Sequence, residues 1–375
     1  MGKIFTALGL MSGTSGDGVD ASIITSDGTV HYNEILSRYF RYDEKTYKNI
    51  HNLKTKISKI DDLKKNKTEI DNLEKEITLF HAKAVKEILK LTEKKIDFVG
   101  FHGQTIYHNS LEKVSIQIGN GNLHSQLTKK IVIFNFRQND IKNGGEGAPL
   151  APIFHKQIVQ KKKIELPVCI LNIGGIANIT VIDNHDEKDL YSKDLGPGNC
   201  LIDEWIRKNT NNKFDKNGEI AKRGIINKLI LNQALDNYDN RINQNISSFD
   251  TKDFDLGFVR GLSVDDGAAT LTDFTGRVIG EGISNFLPEV KNKIWKVLVC
   301  GGGRKNLTLI ENIKKNTFKN LIIQPIDEYD IDGDYVESQA FAFIAIRSFL
   351  NLPISFPETT GCKLPCTGGV QAKNF

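Results

Sequence analysis

Three short stretches place small, hydroxyl-bearing and acidic residues at the ends of apolar runs. They are SGTSGDG at Ser12–Gly18, NIGGIANIT at Asn172–Thr180 and CGGGRKN at Cys300–Asn306. In the first, glycines leave backbone N–H groups pointing outward with no Cβ in the way, a concavity of amides suited to phosphate oxygens. Ser12, Thr14 and Ser15 add hydroxyl donors, and Asp17 offers a hard oxygen to Mg²⁺, directly or through water. Taken alone, this turn reads equally well as an ordinary hairpin connection. The second and third turns answer it from the other half of the chain, each after a buried apolar run. Together they predict two phosphate clamps and a nucleoside shelf around one cleft between domains. The third turn lacks G-x-G-x-x-G spacing and no G-x-x-x-x-G-K-[ST] occurs, so neither a dinucleotide fingerprint nor a Walker loop explains them.

These turns need strands to hold them. KIFTALGLMSG followed by GVDASIITSDGTVHYNEILSRYFRY reads as strand, turn, strand, turn, strand, with Ser26–Gly28 as the second turn. The Lys-rich region Lys45–Lys95 carries apolar residues at helical spacing and predicts a long amphipathic helix with its lysines in water. IDFVGFHGQTIYH returns to a buried strand. A second half starts near KKIVIFNFRQNDI, and LPVCILNIGGIANITVIDN repeats the strand, small-residue turn, strand pattern of the opening. VLVCGGGRKNLTLIENI reads as strand, turn, helix; the chain ends in an apolar helix, VESQAFAFIAIRSFLNL, and a Pro/Gly-rich tail. Strands with crossover helices, repeated in two halves, predict two α/β domains.

Composition sets limits on the rest. The 375 residues suffice for two domains, and 39% hydrophobic with 26% charged residues is an ordinary globular mix. Net charge is +4 with no basic stripe interleaved with aromatics, which argues against nucleic acid. No apolar run approaches the ~20 residues of a membrane span, and the opening run is too short for a signal peptide, so a cytoplasmic protein is expected. Five scattered cysteines make no disulfide framework, and the Cys362/Cys366 pair has no second pair to complete a zinc site.

GLMSGTSGDGVD, FHGQTIYH, FRQNDIKNGGEGAPLAPIFH, LNIGGIANIT, DLGPGNCLIDEW, DFTGR, VCGGGRKN and GDYVESQAFAFIA follow in order nearly end to end. On these blocks the chain resembles the anhydro-N-acetylmuramic acid kinases, of the sugar kinase/Hsp70/actin superfamily. The resemblance implies an α/β protein of two ribonuclease-H-like domains with an ATP cleft between them. We place these at 1–133 and 134–344, with about 345–375 packing back on the first. It implies nucleotide contacts from Gly13, Thr14, Ser15, Gly16, Asp17, Gly18, Val19 and Asp20, from Gly174 and Gly175, and from Gly301, Gly302 and Gly303. ATP is the implied phosphoryl donor, with Mg²⁺ on Asp17.

Three positions depart from the family pattern. Gly16 stands where Leu is usual, which predicts a floppier first turn. Glu146 replaces Gln, and Leu195 replaces Thr beside the implied catalytic carboxylate, Asp194.

The implied reaction joins hydrolysis of the sugar's 1,6-anhydro bridge to phosphorylation of its 6-oxygen. Asp194 is the implied general base toward water; its bland alternative is an Asp closing its own turn. Arg137 is the implied grip on the lactyl carboxylate of a muramic acid, with Asp140 holding it in place; the alternative is a surface ion pair. Thr105 and Glu337 match further sugar-contacting positions, although a helix-start carboxylate would also explain Glu337. His102 and His108 flank the Thr105 turn and serve only to mark it as facing the sugar. The resemblance also suggests a homodimer, with the apolar C-terminal helix as its interface. A plain hexose or N-acetylhexosamine kinase, and a non-catalytic ATPase of the same fold, remain as alternatives.

Overall fold

An apolar run with no alternation belongs in the middle of a layered structure, and Phe5–Ser12 is buried along almost its full length. In the computed structural model, which describes residues 2–184, 186–242, 248–287, 294–318 and 320–375, this run is the first strand, β1. It is followed by β2 (Gly18–Ser26), β3 (Tyr32–Arg41), β4 (Phe98–Asn109), β5 (Val114–Ile118) and β6 (Ile131–Phe134). Then come β7 (Val168–Ile173), β8 (Ile176–Ile182), β9 (Leu190–Pro197), β10 (Trp295–Cys300), β11 (Leu321–Pro325) and β12 (Val370–Ala372). The chain divides into two units: Met1–Glu165 with His185–Tyr191 and Tyr335–Phe375, and Leu166–Asn184 with Ser192–Asp334.

In the first unit the sheet order is β12-β6-β4-β1-β2-β3, with β5 paired to β4. β1, β2 and β3 form an antiparallel meander, while β4 runs parallel to β1 and β6 parallel to β4. In the second unit the order is β11-β10-β7-β8-β9, with β7 antiparallel to β8 and β10 parallel to both β7 and β11. Numbered within its unit the second sheet reads 3-2-1-4-5, and the first reads the same once β5, which pairs only with β4, and the added antiparallel edge strand β12 are set aside. This is the ribonuclease-H-like arrangement, and both units have it.

The expected boundary at 133/134 falls inside β6, and the structure moves it past Glu165. The physical reason is pairing: β6 completes the first sheet against β4, and helix Pro152–Lys162 packs its Phe154 on Tyr32 and Phe343 of the same unit. The C-terminal return likewise begins earlier than expected, at Tyr335. Helix Val336–Phe349 lies so close to β1 and β4 that a Cβ on Gly9 would stand 2.0 Å from the Ser338 carbonyl, and one on Gly100 2.3 Å from that of Phe341. Its residues Ser338–Arg347 are all buried within this unit. That corrects the expectation of a dimer interface here, because the helix spends its apolar surface on its own sheet.

The Lys-rich region forms three helices, Glu44–Lys56, Ile60–Lys65 and Lys67–Leu89, instead of one. The break is local chemistry: the Asp62 carboxylate accepts from the Ser58 and Lys59 N–H groups, satisfying donors at a new helix start. Buried residues of the first and third helices, among them Ile50, Ile77, Val85 and Ile88, meet Leu8, Leu10 and Val19 in the core of this unit.

Four histidines of this unit, His81, His102, His124 and His155, are buried. Burial pushes His102, His124 and His155 down to about 3, and His81 well below the usual range. Unfolding returns each to about 6.5, so between about pH 3 and 6.5 the unfolded chain binds more protons than the native one. Stability is therefore present above that window and lost as pH falls through it, by up to roughly 1.4 kcal/mol per pH unit for each histidine. His124 stacks on Phe101 at 4.6 Å, a contact Phe can keep. We expect His124→Phe to move the acid-unfolding midpoint, read by circular dichroism, to lower pH; an unmoved midpoint would show that His124 takes up no proton on unfolding.

Candidate functional site

The first glycine turn joins β1 to β2. Gly16 has φ +59°, and a Cβ there would stand 2.9 Å from Ile50 Cγ2 on the helix behind it. The turn is pinned at several points: Gly16 N–H donates to Gly13 O at 3.1 Å, Lys54 Nζ to Thr14 O at 3.0 Å, and His51 Nε2 lies 2.9 Å from Ser15 O. Tyr42 N–H and the Tyr39 hydroxyl both donate to Asp17 O. Gly16 thus fits a backbone that a leucine would strain, and the expected looseness gives way to a braced turn.

Asp17 is half-buried at its rim, with Oδ1 accepting from Ser15 Oγ at 2.5 Å. Two of the expected contributors face elsewhere. The Ser12 hydroxyl is buried between Gly18 O (2.9 Å) and Gln104 Oε1 (2.6 Å), and Val19 is a core side chain. Asp20 sits on β2 opposite Tyr39.

Sequence reasoning passed over Gln104 and Tyr42. Gln104 donates from Nε2 to Gly13 O at 3.0 Å, and Tyr42 Oη lies 3.1 Å from Ser12 Oγ and 2.9 Å from His81 Nε2. A buried polar chain thereby ties the turn to the core. The signal available was the polar Gln inside the apolar run FHGQTIYH.

That run is not a turn but the middle of β4, with an irregularity in its pairing to β5 between Thr105 and Tyr107 and φ +77° at Gly103. Thr105 is half-buried and its Oγ1 accepts from Gln117 Nε2 at 3.2 Å; His108 lies further along, opposite Ser115. His102 has a more specific task. Its Nδ1–H donates to Gly103 O at 2.9 Å, which leaves Nε2 as the acceptor for Arg137 Nε (3.2 Å) and Nη2 (3.0 Å). Burial, reinforced by the Arg137 charge, keeps this imidazole neutral, with its pKa pushed down to about 3, so it stays an acceptor throughout the neutral range.

Arg137 Nη1 also donates to Gly147 O at 2.7 Å, so the guanidinium is held from two sides. Asp140 does not hold it directly: its Oδ2 accepts from Gly147 N–H (2.7 Å) and its Oδ1 from Thr360 Oγ1 (2.6 Å). It fixes the loop whose carbonyl receives the arginine. In the same loop Glu146 N–H donates to Thr360 O at 2.9 Å. Glu337 opens helix Val336–Phe349 one turn before Phe341, whose ring lies 4.5 Å from that of His102. Residues four apart share a helix face, so Glu337 stands on the face toward the arginine pair.

In the second unit three glycine turns interlock at the ends of β7, β9 and β10. Gly198 N–H donates to Gly175 O (2.9 Å) and Asn199 N–H to Gly174 O (2.8 Å). A Cβ on Gly303 would stand 2.2 Å from Ile173 Cγ2, and one on Gly301, at φ +79°, 2.5 Å from Asn172 Oδ1. Gly302 faces open space. We expect Gly301→Ala to cost about 1–3 kcal/mol of stability and Gly302→Ala less than about 0.5, read from urea midpoints. Equal midpoints would mean that the close approach at Gly301 carries no energetic consequence.

Asp194 lies on β9, three residues before the glycine turn's Pro197, and is only 6% exposed. Its Oδ2 accepts from Phe249 N–H at 2.9 Å, a contact that no sequence pattern announces across 55 residues. Leu195 next to it is a core side chain that packs near Gly282. The departure at Leu195 is therefore a change in packing. A cavity of about 130 Å³ lined by Asp194, Leu195, Tyr238, Phe249, Val278 and Glu281 adjoins this strand, far smaller than a nucleotide site needs.

The family model for anhydro-N-acetylmuramic acid kinase matches residues 5–373, a span that takes in every turn described above. The chain belongs to the anhydro-N-acetylmuramic acid kinase family. It is 56% identical over 375 residues to the anhydro-N-acetylmuramic acid kinase of Pelagibacter ubique (strain HTCC1062), covering 100% of each chain. It is 37% identical over 370 residues to that of Zymomonas mobilis subsp. mobilis (strain ATCC 31821 / ZM4 / CP4), covering 97% of this chain and 98% of the other. Among solved structures it is similar to the (R)-2-hydroxyglutaryl-CoA dehydratase component A of Acidaminococcus fermentans, with a TM-score of 0.44 and 12% identity over 92% of this chain and 98% of the other. Membership makes the chain an enzyme, a kinase that transfers a phosphoryl group to a hydroxyl acceptor. Among the described residues, no helix of the kinase is long and apolar enough to cross a membrane.

Proposed function

We propose that the kinase hydrolyses the 1,6-anhydro bridge of 1,6-anhydro-N-acetylmuramic acid while phosphorylating its 6-oxygen from ATP. The products are N-acetylmuramic acid 6-phosphate and ADP, a step of cell-wall recycling carried out in the cytoplasm. The observation that carries the mechanism is Asp194: a buried carboxylate with one oxygen fixed by Phe249 N–H, on the strand that leads into the interlocked glycine turns.

Asp194 takes a proton from water, and the water oxygen forms a bond to the anomeric carbon as the bond from that carbon to the bridging 6-oxygen breaks. The 6-oxygen forms its new bond to the γ-phosphorus, and the bond from that phosphorus to the oxygen of ADP breaks. An inverting glycosidase needs a second carboxyl to protonate the leaving oxygen. Here the phosphoryl group takes that oxygen, and one carboxylate suffices.

The turns at Gly13–Gly18, Gly174–Gly175 and Gly301–Gly303 offer backbone N–H groups to the nucleotide. Arg137, fixed by His102 and Gly147, receives the lactyl carboxylate, with Thr105 and Glu337 contacting the sugar. Asp17 suits Mg²⁺ through its hard, half-buried carboxylate, braced by Ser15. When bound, the ion screens charge between the phosphates and the incoming oxygen. A homodimer would use a surface other than helix Val336–Phe349.

The test is mass spectrometry of the product formed from the anhydro sugar and Mg-ATP in ¹⁸O-labelled water, read promptly because ring opening exchanges the anomeric oxygen. A 6-phosphate carrying the label at the anomeric hydroxyl is expected. Phosphorylation confined to unbridged hexosamines run in parallel would replace this reading with that of a plain hexosamine kinase.

A further inference from the structure

Two cysteines near the C-terminus acquire from the fold a partner that their spacing does not supply. Cys362, Cys366 and Asp140 bring their Sγ and carboxylate oxygen atoms to within 4.8 Å of one another, and Cys366 Sγ lies 4.0 Å from Asp140 Oδ1. Both cysteines are free thiols. Asp140 is 1% and Cys362 2% exposed, while Cys366 is half-buried and leaves the cluster open on one side.

The backbone under these side chains is fixed. Cys366 N–H donates to Ser355 O (3.1 Å), Ile354 N–H to Cys366 O (2.9 Å) and Lys363 N–H to Asn143 O (3.1 Å). The carboxylate is aimed by Gly147 N–H and by Thr360 Oγ1, and Ser355 Oγ lies 3.1 Å from Cys366 Sγ. Such outer partners are what orient metal ligands in general.

A tetrahedral zinc ion with bonds of about 2.3 Å to sulfur and 2.0–2.2 Å to oxygen holds its ligands about 3.5–3.8 Å apart. From separations of up to 4.8 Å, the cluster needs to contract by no more than about 1.3 Å to meet this. Two sulfur donors select a thiophilic ion over Mg²⁺ or Ca²⁺, which take oxygen.

We propose that Asp140, Cys362 and Cys366 form a binding site for a thiophilic divalent cation of the zinc type, with a water molecule in the fourth position. The ion would staple the C-terminal tail to the loop that carries Gly147 and so steady the seat of Arg137. Binding releases the two thiol protons. Burial lifts both thiols, Cys362 to about 11, so without metal they stay protonated and slow to oxidise near neutral pH.

The experiment strips the full-length kinase with a chelator under a phosphine reductant, adds Zn²⁺ or Co²⁺, and desalts. Expected are about one zinc per chain and, with cobalt, tetrahedral visible bands together with an intense thiolate-to-cobalt charge-transfer band. Zinc should raise the melting temperature by about 2–5 °C. Cys362→Ala/Cys366→Ala should lose the metal, the charge-transfer band and the thermal shift together. Should that variant fail to fold, Cys366→Ala alone, at the half-buried position, should show about half of the charge-transfer intensity. No uptake by the parent chain, uptake undiminished in the variants, an octahedral cobalt spectrum, or a Cys362–Cys366 disulfide forming in the presence of metal would each overturn the proposal.

Discussion

Asp194→Asn is expected to lower kcat by roughly 10²–10⁴-fold, the range a positioned general base contributes, with KM for both substrates and the melting temperature close to the parent's. The substitution is nearly isosteric, and an asparagine Oδ1 can still accept the Phe249 N–H that now holds the carboxylate at 2.9 Å. What it cannot do is take a proton from water. Loss of kcat without loss of binding is the signature of a group acting in the transition state. Steady-state kinetics with the anhydro sugar, alongside thermal denaturation, would read both. A variant with kcat within a few-fold of the parent would remove Asp194 from the proton transfer and leave it as a residue that closes its own turn.

Arg137→Lys is expected to reduce kcat/KM for 1,6-anhydro-N-acetylmuramic acid by about 10–150-fold, the equivalent of roughly 1.5–3 kcal/mol for hydrogen bonds to a charged group. The loss should be far smaller for a 1,6-anhydro-N-acetylhexosamine that lacks the lactyl carboxylate. Lysine keeps the charge but not the planar fork, which His102 Nε2 and Gly147 O orient from two sides. Because burial holds His102 neutral down to about pH 3, this seat should not titrate between pH 5 and 9. Equal losses on the two sugars would mean that Arg137 supports the loop and does not read the carboxylate.

Residue types at short range carried much of this protein. The glycine turns, the strands feeding them and the repeated α/β pattern follow from local rules: apolar runs that must be buried, and turns that only glycine can make closely. Asp194, Arg137 and Glu337 stood out by resemblance, as the positions of DLGPGN, FRQND and GDYVESQAF that match the family's blocks.

Other features depend on residues far apart in the chain, and only the tertiary structure decided those. β6 belongs to the first sheet because it pairs with β4, a partner that no property of its own sequence reveals. Ser12 is turned inward by Gln104, 92 residues away, and Leu195 packs into the core of the second unit. Asp140 does not grip Arg137; it reaches Gly147 on one side and Thr360, 220 residues on, on the other. The same carboxylate meets two cysteines whose spacing alone argued against a metal. Local propensity sets which turns and strands form, whereas the partner of each buried polar group is chosen by the pairing of strands and the return of the C-terminal helix across the first sheet.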